Sequence, residues 1–281
     1  VRSEFEIRRE IVEIGRRLWE RGYVAANDGN ISARAGEGIV VTPTGVSKGF
    51  MQPSDLVVVS RRGDRMSGAL APTSELKMHL AVYELRDDVG AVVHAHPPRA
   101  TGFAVAGEPL AQCVLPEVIM TLGQVPLAEY ATPSTEEVVS SIRKLLPSYS
   151  AMLLRNHGVL TMGQDLSQAY FRMETVEHFA EITLTARALG GPNPLSSDDV
   201  RKLLNVREGL GLGDSDAGCV QCGACDGQTT DQARSNAPEV AADPRGGSAG
   251  EAATGNVNEE EIVRAVMDRL SEILETKGDV R

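Results

Sequence analysis

The chain has 281 residues, 42% hydrophobic and 4% aromatic, with a formal net charge of −11. That length buries a full-sized core in one domain of about 200 residues with a remainder, and no run approaches the ~20 apolar residues of a transmembrane helix. The acidic excess argues against nucleic acid as a partner, because binding a phosphate backbone needs a basic surface.

Residues 4–21 read as an amphipathic helix, with Ile7, Ile11, Ile14 and Leu18 at helical spacing. A turn-rich stretch, Asn27-Asp28-Gly29-Asn30, leads into Ile31-Ser32-Ala33-Arg34, and strand-like runs follow at residues 39–42 and 56–60. Residues 74–84 look helical, with Thr73 or Ser74 as a cap. Residues 91–94 form a strand, 134–146 a helix after Pro133, and 151–155 and 159–161 short strands around His157. Residues 166–189 are a long helix. Strands and helices mixed without strict alternation predict a layered α/β domain over residues 1–208.

Beyond that point the composition changes. No aromatic residue follows Phe179, and residues 209–257 are rich in Gly, Ala, Asp, Ser and Gln, the composition of a flexible linker. The charge divides there too, with −3 over residues 1–209 and −8 over residues 210–281, so the first part has room for a small anionic substrate. Cys219, Cys222 and Cys225 have metal-ligand spacing, but a cluster usually takes a fourth cysteine, and Cys113, far away, reads as a small buried hydrophobe. In residues 258–281, Ile262, Val266, Leu270, Ile273 and Leu274 share one face of a helical wheel, opposite Glu261, Arg264, Asp268 and Glu272. A charged rather than signal-like start and bunched cysteines lead us to expect a cytoplasmic protein with no membrane partner.

Chemistry concentrates in Ala91-Val92-Val93-His94-Ala95-His96 and in Asn156-His157-Gly158. In a strand, residues i and i+2 share a face, so His94 and His96 aim two imidazoles at one point. A third from His157 makes the usual catalytic zinc set, three neutral imidazoles with an open fourth position. Glu75 offers a carboxylate as ligand or base. His79, four residues on, shares its helical face and reads as a packed or hydrogen-bonded histidine. Small hydroxyl and amide residues near turns can cradle an anion; Asn30, Thr44, Gly45, Thr73 and Ser74 are of that kind.

The segments Gly29-Asn30-Ile31-Ser32, Thr42-Pro43-Thr44-Gly45, Thr73-Ser74-Glu75, His94-Ala95-His96-Pro97 and Asn156-His157-Gly158, in this order and spacing, resemble the class II aldolase/adducin family over roughly residues 5–205. That family includes the L-fuculose-1-phosphate aldolases, which the chain resembles. The resemblance implies an α/β sandwich around a mainly antiparallel sheet flanked by helices, and a cyclic homotetramer with sites between subunits. It implies Zn²⁺ held by His94, His96 and His157, with Glu75 completing the empty site and then leaving it to act as general base. It also implies that Asn30, Thr44, Gly45, Thr73 and Ser74 bind the substrate phosphate. The implied reaction cleaves a ketose 1-phosphate to dihydroxyacetone phosphate and an aldehyde, L-lactaldehyde if the sugar is fuculose.

One departure concerns the acid. The fuculose enzymes place a tyrosine in the segment matching Leu115–Gly123, where this chain has Glu117 as its one ionisable residue. Glu117 would donate the proton if burial raised its pKa. Lys48 and Lys77 raise a Schiff-base alternative, without neighbours in the sequence that mark a desolvated amine. The rival readings are a ribulose-phosphate 4-epimerase, whose counterpart of Glu75 is typically aspartate, and an adducin-like interaction protein lacking the metal ligands. Residues 258–281 resemble the encapsulation peptides of bacterial microcompartments, whose lumen would then be the location and whose shell or cargo protein the partner.

Overall fold

A computed structural model of the chain describes residues 2–210. The expected linker with Cys219, Cys222 and Cys225 and the expected helix at residues 258–281 lie outside the described residues. Helix α1 (Glu4–Glu20) opens on Ser3, whose hydroxyl accepts the Glu6 N–H while the Glu6 carboxylate returns to the Ser3 N–H. Its Ile7, Ile11, Ile14 and Leu18 are buried.

Eight strands form one sheet in the order β4-β3-β2-β1-β5-β8-β7-β6. They are β1 (Asn30–Ala35), β2 (Gly38–Val41), β3 (Val57–Val59), β4 (Arg65–Ser67), β5 (Ala91–Ala95), β6 (Leu127–Ala128), β7 (Ala151–Leu154) and β8 (Gly158–Gly163). Neighbours pair antiparallel except β6 with β7. The helices α2 (Leu76–Leu85), α3 (Pro98–Ala106), α4 (Pro116–Thr121), α5 (Glu136–Arg143), α6 (Leu166–Ala188) and α7 (Ser197–Gly209) complete the described chain.

Strand alternation splits the core into two. Ala91, Val93, Ala95, Ile31 and Val159 pack with α1, α3 and α6 on one face. Val92, Val41, Val57, Leu160 and Met162 pack with Met78 and Val82 of α2 and Val138 and Ile142 of α5 on the other. Both faces are covered, which is why the central strands read as unbroken apolar runs. The result is the expected α/β sandwich. His94 has the parity of Val92 and so faces the side where α2 lies. Cys113 is buried beside Ile119 and Val200.

Candidate functional site

Three strand ends meet beside the start of α2. Antiparallel pairing sets Asn30, the first residue of β1, opposite His94, and Ala95 opposite Val159. The last residues of β5 therefore lie against the first of β8. His157 sits in the three-residue turn joining β7 to β8, where Asn156 takes a left-handed conformation with φ 55°. His96 lies one residue past β5, its N–H donating to the Tyr23 carbonyl at 2.9 Å. Gly158 leaves room for these rings: a Cβ there would stand 2.5 Å from His96 Cδ2 and 2.6 Å from the Ala95 carbonyl oxygen.

One nitrogen from each of His94, His96 and His157 lies within 4.8 Å of the other two. His94 Nδ1 is 2.9 Å from the Val159 carbonyl. A carbonyl only accepts, so Nδ1 carries the proton and Nε2 keeps its lone pair. That Nε2 lies 3.1 Å from His96 Nε2 and 3.3 Å from Glu75 Oε2. Burial first, then repulsion from the other two imidazoles, holds His94 well below the usual histidine range. Burial also lowers His157, against the opposing pull of Glu75. Beyond the cluster, Asp28 Oδ2 lies 3.6 Å from His96 Nδ1.

Glu75 is the N-cap residue of α2. Its Oε2 accepts from Asn30 Nδ2 at 2.8 Å. Its Oε1 is buried, 3.4 Å from His157 Nε2, yet makes no hydrogen bond within the described residues. A buried carboxylate oxygen with no donor is costly to leave so. Beside three nitrogens, at least one with its lone pair turned inward, it suits a bound divalent cation. The residues fit a metal centre of three imidazoles and one carboxylate.

The other site residues divide. Thr44 N–H donates to the Ala71 carbonyl at 3.1 Å and Thr73 N–H to the Thr42 carbonyl at 3.0 Å, so the Thr44-Gly45 and Thr73-Ser74 turns lie side by side. Thr42 in turn joins Ile31, accepting its N–H on Oγ1 at 3.1 Å and donating its own to the Ile31 carbonyl at 3.0 Å. Thr44, Gly45 and Ser74 are exposed, as an anion cradle requires, and Thr73 is buried, its Oγ1 accepting the Glu75 N–H at 3.3 Å. The Asn30 side chain is buried, with Nδ2 on Glu75 and Oδ1 on His79 Nε2 at 2.5 Å. Glu117 is exposed on α4 and lacks the burial that its expected acid role called for.

His79 is wholly buried, and desolvation lowers its pKa to about 4 against a weaker pull upward from Glu75. Lys48 corrects an expectation drawn from its sequence neighbours. It is 1% exposed and burial lowers its pKa to about 8, so it is a desolvated amine. Its Nζ, however, donates to the Asn27 and Val46 carbonyls at 2.8 and 2.6 Å, tying the turn before β1 to the chain just after Gly45. Ser32 of β1 bonds both His79 and Tyr83 of α2, and Tyr83 carries no signal in the sequence that marks it as part of the site.

Residues 9–184 match the family model described as Class II Aldolase and Adducin N-terminal domain. The chain is 34% identical over 173 residues to the L-fuculose phosphate aldolase of Methanococcus maripaludis strain S2, covering 62% of this chain and 93% of that one. It is 32% identical over 193 residues to the 3-oxo-tetronate 4-phosphate decarboxylase of Cupriavidus necator, covering 67% and 88%. A solved L-fuculose 1-phosphate aldolase superposes with a TM-score of 0.68 at 31% identity, over 72% of this chain and 96% of that one.

Proposed function

The chain belongs to the class II aldolase and adducin family, and from that premise we propose that it is a zinc-dependent aldolase cleaving a ketose 1-phosphate, L-fuculose 1-phosphate foremost. The products are dihydroxyacetone phosphate and an aldehyde such as L-lactaldehyde. The observation that carries this reading is the meeting of three imidazoles with the unpartnered Oε1 of Glu75.

A divalent ion held by His94, His96 and His157 supplies Lewis acidity to the substrate's carbonyl and hydroxyl oxygens. Zinc suits three imidazoles and an open position. Glu75 handles the proton on the donor carbon, removing it in the condensation direction and returning it in cleavage. The Thr44-Gly45 and Thr73-Ser74 turns bind the phosphate through hydroxyls and backbone N–H groups. A homotetramer belongs to the same reading, and light scattering at four chain masses tests it.

The likeness to 3-oxo-tetronate 4-phosphate decarboxylase supports a second reading, in which the same centre decarboxylates a phosphorylated 3-oxo acid. One experiment separates the two. A panel of phosphorylated ketoses plus 3-oxo-tetronate 4-phosphate is assayed for dihydroxyacetone phosphate and for carbon dioxide, with and without chelator. The first reading predicts chelator-sensitive release of dihydroxyacetone phosphate from the 1-phosphates. Decarboxylation leaves dihydroxyacetone phosphate as its other product, so carbon dioxide with dihydroxyacetone phosphate from 3-oxo-tetronate 4-phosphate, and no cleavage of the ketose 1-phosphates, would select the second.

A further inference from the structure

We propose that Asn30 is a positioning residue for Glu75, and that His79, Ser32 and Tyr83 fix the direction in which its side-chain amide points. The proposal rests on Glu75 being the base.

The five side chains form one hydrogen-bonded ladder between α2 and β1. Asn30 Nδ2 lies 2.8 Å from Glu75 Oε2, and Asn30 Oδ1 lies 2.5 Å from His79 Nε2. His79 Nδ1 is 2.6 Å from Ser32 Oγ, which is 2.8 Å from the Tyr83 hydroxyl. The ladder follows from regular geometry. Glu75, His79 and Tyr83 recur every four residues from the cap of α2, an advance of about 6 Å per step. Asn30 and Ser32 are two apart on one face of β1, an advance of about 6.7 Å. The two spacings match closely enough for the side chains to interleave.

An ionised carboxylate accepts hydrogen bonds and cannot donate them. The Asn30 atom facing Glu75 must therefore be the NH₂ group, which turns Oδ1 toward His79. His79 then carries its proton on Nε2 and accepts on Nδ1 from the Ser32 hydroxyl, which in turn accepts from the Tyr83 hydroxyl. One acceptor-only group sets the direction of every bond behind it. Asn30, His79, Ser32 and Tyr83 are all buried, so water does not compete for these partners. The ladder grips Oε2 and leaves Oε1 toward His157, free to take a proton. Asn30 Nδ2 has a second N–H besides the one on Oε2, so positioning of Glu75 is read in kcat and contact with the phosphate in KM.

The test uses dihydroxyacetone phosphate as the probe and the whole, zinc-loaded chain. Exchange of its donor-carbon hydrogens with D₂O, followed by NMR, reads the base step without an aldehyde. Asn30→Ala and His79→Ala should each lower kcat for exchange by about tenfold with zinc content intact, and His79→Ala should leave KM for dihydroxyacetone phosphate nearly unchanged. His79→Gln should restore most of the rate, since its amide N–H can donate to Asn30 Oδ1. In a Glu75→Gln background, Asn30→Ala should cost nothing further. In metal-free protein, ¹⁵N shifts should show His79 protonated on Nε2. An unchanged kcat in Asn30→Ala, whatever its KM, would overturn the proposal, as would a His79 proton on Nδ1. Glu75→Gln retaining full exchange would instead overturn the reading of Glu75 as base, whatever Asn30 does.

Discussion

Glu75 and His79 stand four residues apart and meet opposite demands: one keeps a carboxyl oxygen without a hydrogen bond among the described residues, the other is neutral with both ring nitrogens engaged. The neutrality of His79 has a consequence for stability. In the unfolded chain its imidazole titrates near 6.5, and in the folded chain burial lowers this to about 4. Between those values the unfolded state binds a proton that the folded state refuses, so stability falls as pH falls through the window and is fully present above 6.5. The full effect is on the order of 3 kcal/mol. His94 and His157 are also shifted down and act in the same direction, so the informative quantity is a difference. Denaturant unfolding of the metal-free chain at pH 7.5 and 4.5 should lose more stability in wild type than in His79→Gln. Equal losses would contradict a neutral, buried His79.

At the scale of elements, the site is a junction of β1, β5, β8 and the cap of α2, and its tightest point is Gly158. Gly158→Ala would press a methyl into His96 and the Ala95 carbonyl, forcing β5 and β8 apart where two imidazoles must converge. Overpacking of this kind costs about 1–3 kcal/mol, read as a lower melting temperature of the metal-free chain. Zinc affinity, measured by competition with a chromogenic chelator, should fall at least about tenfold, since ligand geometry governs it. Unchanged affinity would mean that the rings do not lean on this position. Much of the junction is legible in the sequence because its signals are local. The i, i+2 histidines end an apolar run, Glu75 stands in the first turn of an expected helix, and His157 falls between two strand-like runs. The ladder behind Glu75 is not legible, because Ser32 meets His79 and Tyr83 only through the long-range packing of α2 on β1. The same holds for the bonds that the Asn30 side chain makes to Glu75 and His79. Helix α3 hides behind Pro97-Pro98 and Gly102, and β6 is two residues long, too short to leave a period. Lys48 looks unremarkable in sequence because what buries it is distant in the chain.

On the scale of the whole molecule, no helix among the described residues is long and apolar enough to cross a membrane. The metal, base and phosphate residues proposed above all fall before residue 158, and residues 258–281 supply none of them. Their apolar stripe and acid-rich opposite face fit docking into a groove on a partner better than binding to a membrane surface. Deleting them should leave aldolase turnover in solution unchanged. Fused to a fluorescent protein in cells making microcompartment shells, they should gather it into puncta; diffuse fluorescence would remove the targeting proposal. The central claim, that a metal on His94, His96 and His157 serves carbon–hydrogen chemistry at the donor carbon, is tested most directly by metal removal. Hydrogen exchange of dihydroxyacetone phosphate is followed before chelation, after it, and after adding one equivalent of Zn²⁺ per chain. The account predicts exchange that stops on chelation and returns with zinc in wild type, and that stays lost in His96→Ala. Full exchange in the metal-free chain would contradict it.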